Sequence, residues 1–271
     1  MKLSFTTMAT PNKSGPEAIR MAREFGYMGV DLRVSDHKGE LKLNSSIQEI
    51  NQIKDVFASE GIKPSGLLCY NETGSDEPES WKRMTESILR HLEIAERLGS
   101  PTIRIFGGNP RESGNSEDYT KRTADAIAAA IQRDDSKTGI LIQNHFGNYS
   151  VKEALELIKK TGNDRLGLVF SPDHCIITEE PLSDLYSLVK PVTRQLYIAD
   201  VIKTESDHDG TLPGKGCVPL NEAYEALGGD GFEGWVTFKW EKLWNPVLEE
   251  PEIALPYFIK YVNRFLKVGN H

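Results

Sequence analysis

Glu79-Ser-Trp-Lys-Arg-Met-Thr-Glu-Ser-Ile-Leu-Arg-His-Leu-Glu-Ile-Ala-Glu-Arg-Leu98, followed after Gly-Ser-Pro by Thr102-Ile-Arg-Ile-Phe106, decides the fold. In the first segment Trp81, Met84, Ile88, Leu92 and Ala95 recur at steps of three and four, which lines one face of a helix that must pack on a core. The second is a short β-rich run, and the same alternation extends in both directions. Runs of this kind occupy residues 3–7, 29–34, 63–69, 102–106, 140–144, 166–170, 195–198 and 235–240, with helical spacing between them. Ser150 followed by Glu153 reads as a capping box, Ser14 and Pro16 open the first helix, and Pro251 opens the last. Strands separated by helices pair in parallel through right-handed crossovers, since antiparallel neighbours need no helix between them. Eight such units predict one closed (β/α)8 TIM barrel, an α/β domain spanning residues 1–271. The competing open, doubly wound sheet lacks support, because no Gly-x-Gly-x-x-Gly follows the first strand.

Lys plus Arg number 32 against 40 Asp plus Glu, a net charge of -8 that opposes a broad nucleic-acid surface. No stretch approaches the roughly 20 apolar residues of a membrane span, and threonines interrupt the N-terminal segment, so neither a membrane nor a secretory signal is expected. The expected location is the cytoplasm. Cys69, Cys175 and Cys217 lie far apart with no Cys-x-x-Cys pair, which reads as reduced thiols. A homo-oligomer is compatible with this composition.

In a parallel barrel the chemistry sits where strands end, at the C-terminal mouth. Those ends carry Asp31 and Arg33, Arg104, Gln143, Asn144 and His145, Ser171 to His174, Tyr197 to Asp200, and Lys239, Trp240 and Glu241. Charges pointing into a barrel must be paired, so Asp31, Arg33 and Arg104 read equally as a buried ion-pair network or as substrate ligands. His37, His91, His208 and His271 carry little weight, and residues 204–210 form an acidic loop that could close over the mouth as a lid.

Gln143-Asn-His145, Ser171-Pro-Asp-His174, Gly29-Val-Asp-Leu-Arg33, Ile103-Arg-Ile-Phe-Gly-Gly108 and Pro213-Gly-Lys-Gly216, in this order, resemble the xylose isomerase-like superfamily of sugar isomerases and epimerases. That superfamily also includes inosose dehydratases, tagatose-type ketose epimerases and endonuclease IV-type enzymes. The resemblance implies a divalent cation held by glutamate, aspartate, histidine and glutamate on strands five to eight. At those positions this chain has Gln143, Ser171, Tyr197 and Lys239. Three carboxylates with a divalent ion carry -1; the four replacements carry +1, so an internal ammonium stands where a bound cation is implied. The expectation is no metal at the usual place, the alternative being Mn or Mg at a shifted site using His145, Asp173, His174 or Glu241.

What the resemblance leaves is a small-carbohydrate pocket with altered chemistry. Lys239 is a candidate for stabilising an oxyanion with Arg104 as helper, and His174, His145 and Glu241 are candidate proton carriers. Gln143, Asn144, Ser171, Tyr197, Asp200 and Trp240 are candidate substrate contacts. A cationic site favours a sugar acid or a sugar phosphate. A Schiff base on Lys239 is a narrower variant. A non-catalytic carbohydrate-binding or regulatory barrel is the reading from a different class, and DNA repair is opposed by acidity and the missing ligand cluster.

Overall fold

The computed structural model of the chain describes residues 1–205 and 207–266. His271 therefore lies outside the described residues, as does Ser206 of the acidic loop. The strands are β1 (Lys2–Thr6), β2 (Gly29–Val34), β3 (Lys63–Cys69), β4 (Thr102–Ile105), β5 (Gly139–Gln143), β6 (Leu166–Phe170), β7 (Thr193–Ile198), β8 (Asp200–Lys203), β9 (His208–Thr211) and β10 (Trp235–Phe238). All but β8 and β9 close one parallel barrel, in the order β1-β10-β7-β6-β5-β4-β3-β2. Closure is made where β1 takes β10 on one side, Lys2 opposite Trp235, and β2 on the other, Ser4 opposite Gly29. The chain is thus a closed eight-stranded α/β barrel of the TIM type.

Strands buried on both faces read as continuous apolar runs, which is why the eight were visible in the sequence. Between them run α1 (Gly15–Phe25), α2 (Ile47–Glu60), α3 (Pro78–Leu98), α4 (Ser116–Arg133), α5 (Val151–Thr161), α6 (Pro172–Ile177), α7 (Leu182–Val189) and α8 (Leu220–Leu227), with α9 (Pro251–Tyr261) after β10. The stripe on α3 is buried at Met84, Ile88, Leu92 and Ala95 as its spacing requires. Capping boxes at Ser14–Glu17, Ser46–Glu49 and Ser150–Glu153 satisfy the first amides of α1, α2 and α5.

The barrel interior is polar in one layer. Gln195 Nε2 donates to Asp31 Oδ2 at 3.0 Å and to Thr237 Oγ1 at 2.8 Å, and the Tyr197 hydroxyl donates to Asp31 Oδ2 at 2.8 Å. Asp31 and Arg33, neighbours on β2, do not pair with each other. Arg33 instead meets Glu40 of the following loop at 2.6 Å.

The segment around the acidic loop takes a regular form. Here β8 and β9 form an antiparallel hairpin, with Asp200 opposite Thr211 and Lys203 opposite His208. No described residue of the hairpin lines the cavities at the barrel mouth. Its base is held by Asp200, whose carboxylate accepts from the amides of Val201, Gly214, Gly216 and Val218 at 2.8–3.1 Å.

Candidate functional site

Lys239 follows β10 directly, and its fully buried ammonium reaches across the mouth to the first turn of α6. It donates to Asp173 Oδ2 at 2.7 Å and to His174 Nε2 at 2.9 Å, and Glu241 Oε1 lies at 3.6 Å. Burial alone would lower the Lys239 pKa, but Asp173 and Glu241 together outweigh it and hold the group above its ordinary value. It is therefore an ammonium at neutral pH, which works against the Schiff-base variant, since that chemistry needs a free amine.

The histidines divide their roles. His174 Nε2 accepts a hydrogen bond from an ammonium, so its own proton sits on Nδ1, which has no partner among the described residues. His145 Nδ1 lies 2.6 Å from the Phe146 carbonyl, which can only accept, and Nε2 is left as the basic nitrogen. The rings are 4.0 Å apart. Burial first, and then the Lys239 charge, lower the pKa of both: His145 to about 4, and His174 well below the usual range. Both are neutral imidazoles at pH 7.

A cavity of about 330 Å³ opens over this cluster, lined by Arg104, Gln143, His145, Lys239 and Glu241 with Tyr70, Phe106 and Trp244 among its apolar walls. The Arg104 guanidinium lies over the Phe106 ring at 4.2 Å and the Tyr70 ring at 5.4 Å. Its Nη1 donates to the Cys69 carbonyl at 3.3 Å, its Nε is buried without a partner, and it makes no ion pair with a described carboxylate. A second cavity of about 410 Å³ lies on the other side of His145, against His174, Asn144, Arg111 and Glu180.

The candidate residues separate into four groups. Lys239, His145, Glu241, Arg104 and Gln143 face the first cavity, and His174 and Asn144 face the second. Ser171 is buried beneath them, accepting from Gln143 Nε2 at 3.0 Å, while its backbone exchanges hydrogen bonds with the Asn144 amide at 2.8 and 2.9 Å. Tyr197, Asp200 and Trp240 line neither cavity, although Tyr197 lies against Arg104 beneath the first. Tyr197 belongs to the Asp31 layer, Asp200 clamps the hairpin base, and Trp240 stacks on Phe238 and donates to the Glu249 carbonyl at 2.9 Å. Of the sequence's tryptophan pair four residues apart, both candidates for the pocket lining, Trp244 lines the first cavity and Trp240 does not; Tyr70, Phe106 and Phe146 complete the aromatic wall. Phe146 follows His145 directly, a position that sequence alone gave no reason to single out.

Of the positions read from the sequence resemblance, Gln143 is an amide bonded to the Ser171 hydroxyl, Tyr197 a phenol turned to Asp31, and Lys239 an ammonium paired with Asp173. Among the described residues no group of three or more His, Cys, Asp or Glu side chains is arranged to hold a metal ion.

Solved structures with this architecture include a D-psicose 3-epimerase from Clostridium cellulolyticum H10, with a TM-score of 0.79 and 14% identity over 98% of this chain and 99% of that one. The IOLI protein, solved with a bound zinc atom, also gives 0.79, at 18% identity over 98% and 99%. The 3-keto-D-glucoside 4-epimerase YcjR from E. coli gives 0.75, at 16% identity over 97% and 99%. At such identities the likeness is one of fold. No curated protein sequence matches the chain. Residues 19–255 match the family described as xylose isomerase-like TIM barrel, and with the closed barrel and its strand-end motifs in place, the chain belongs to that family.

Proposed function

We propose that the barrel binds a small anionic carbohydrate, a sugar acid or sugar phosphate, and acts on it as an isomerase or epimerase with the Lys239 ammonium in place of a resident divalent cation. The observation that carries this is Arg104. Its guanidinium is 3% exposed, faces a cavity, leaves Nε without a partner among the described residues and is answered by Asp31 only beyond ion-pair distance, so it has a donor and charge to offer an anionic ligand. The donor set supports the metal-free part, since an ammonium in the ligand shell repels a second cation at low dielectric. The epimerases among the similar structures support the reaction class.

In this reading Arg104 and Lys239 bind the anionic or carbonyl oxygens, and His145 Nε2 removes the proton from the carbon beside the carbonyl. The developing enolate is met by the Lys239 charge. Return of a proton to the opposite face inverts that carbon; delivery to its neighbour moves the carbonyl. Glu241, on the same wall, is the second proton carrier. The bound anion also raises the basicity of His145, offsetting the depression caused by burial and Lys239.

Incubation in D₂O with a panel of sugar acids, ketoses and sugar phosphates tests the proposal. Deuterium entering at the α-carbon, and lost in His145→Ala, supports proton transfer. Saturable binding without exchange identifies a binding barrel instead, a reading favoured by the pairing of the Lys239 ammonium with Asp173 and His174. Binding of neutral sugars as tight as that of their acids, unchanged in Arg104→Gln, overturns the anionic reading.

A further inference from the structure

A cavity of about 620 Å³, larger than the one over Lys239, lies apart from it. It sits between the loop after β1, the end of β2 with its following loop, and the segment after β10. The two are separated by Met8 and Leu243, joined by a backbone hydrogen bond of 3.0 Å from Leu243 N to Met8 O. Four cationic side chains line it, Lys13, Arg33, Lys38 and Lys242, against the single carboxylate of Glu40. Just outside the lining, Glu252 and Glu250 pair with Lys13 and Lys242, so Lys38 is the cation of this set without an ion pair among the described residues.

We propose that this cavity is a phosphate-binding site, taking the dianion of a phosphate monoester or inorganic phosphate. Arg33 is 3% exposed, and Glu40 answers only its Nη2 and Nε, at 2.6 and 3.4 Å; Nη1 has no partner among the described residues. The Glu40 carboxylate is itself filled, accepting also from Thr7 Oγ1 and Arg33 N, so it cannot satisfy that last donor. Gly15, the first residue of α1, lines the same wall, at a helix N-terminus already capped by Ser14 and the Glu17 carboxylate. Lys13 pairs with Glu252, whose side chain is 52% exposed, and such a pair yields to a buried dianion at little cost, whereas Lys242 is fixed by Glu250 and by the Pro246 and Leu248 carbonyls and contributes its charge from that position. Lys38 forms no ion pair among the described residues and is held at a φ of 58°, a left-handed backbone unusual for lysine. The inference goes beyond the Arg104 site and does not depend on it.

Amide chemical shifts of the full chain titrated with inorganic phosphate at constant ionic strength test the site. Saturable shifts are expected at Gly15 and Lys38. The exposed Lys38→Glu and Lys13→Glu changes each weaken binding by about tenfold, as replacing an attractive charge with a repulsive one should. Arg104→Gln leaves phosphate binding unchanged. No saturable shift, or shifts centred on His145 that vanish in Arg104→Gln and persist in Lys38→Glu, would overturn it. A sugar phosphate then separates the two sources. Shifts extending to the Trp244 indole identify the substrate's own phosphate; shifts confined to Gly15 and Lys38 identify a separate phosphorylated effector.

Discussion

Lys239→Met removes the ammonium but leaves the Asp173 carboxylate 2% exposed with nothing to answer it. Breaking a buried pair from one side costs about 3–5 kcal/mol, much more than the intact pair contributes relative to an apolar replacement. Urea unfolding should show a loss of that size in Lys239→Met and recovery of most of it in the double variant Lys239→Met, Asp173→Leu. Equal losses in single and double variants would mean that the ammonium stabilises the fold through some other contact. The buried acids and bases also give the pH profile a shape whose sign can be worked out. Burial raises the Asp31 pKa from 3.8 to about 6, so the folded chain holds that proton more tightly than the unfolded chain and stability from this group rises as pH falls through 6. His145 runs the other way: its lowered value makes the unfolded chain the better proton acceptor, and its contribution is lost as pH falls below 6.5 towards 4. Between pH 7.5 and 5 the wild type should therefore gain about 1.4 kcal/mol relative to Asp31→Asn. A difference that stays flat over that window would place Asp31 in an unperturbed state.

At the level of elements, the hairpin of β8 and β9 depends on one carboxylate. Asp200 gathers four backbone amides that have no strand partner, and Gly216 must lack a side chain because a Cβ there would fall 2.2 Å from Asp200 Oδ1 and 2.4 Å from the Val201 carbonyl. Asp200→Ala should cost about 2–3 kcal/mol, the toll of several charge-assisted hydrogen bonds lost at once, and hydrogen exchange should accelerate at Gly214, Gly216 and Val218 while β1 to β7 stay protected. Uniform acceleration across the barrel would deny the hairpin its separate stability. This clamp also shows where sequence reading stopped. Pro213-Gly-Lys-Gly216 was recognisable as a motif and Asp200 as a strand-end polar residue, yet nothing in their spacing said that one carboxylate binds the other segment's amides. Strand positions were legible because parallel strands bury both faces and announce themselves by composition. The partner of Arg33 was not, since Glu40 belongs to a loop whose path only the folded chain determines. Trp240 and Trp244 make the same point: both were visible, but which one faces the cavity depends on the turn after β10.

For the whole molecule, the question is whether a barrel of this family can close its mouth around an internal charge without a bound ion. A cation held at one hundred times its dissociation constant adds about 2.7 kcal/mol to the folded state, and removing it lowers the melting temperature of a domain this large by several degrees. If the Lys239–Asp173 pair at 2.7 Å replaces that contribution, stability is encoded in the chain and cannot be dialysed away. Exhaustive treatment with EDTA should then leave the melting temperature unchanged within about 1 °C, and millimolar Mn²⁺ or Mg²⁺ should not raise it. An anionic sugar should raise it, through Arg104 and Lys239, and that rise should shrink with added salt because the attraction is partly screened at the open rim of the cavity. Melting curves that fall by several degrees on chelation and recover with one equivalent of Mn²⁺ or Zn²⁺ would show a resident ion at a shifted position. The proton chemistry would then have to be rebuilt around whichever of His145, Asp173, His174 and Glu241 hold it.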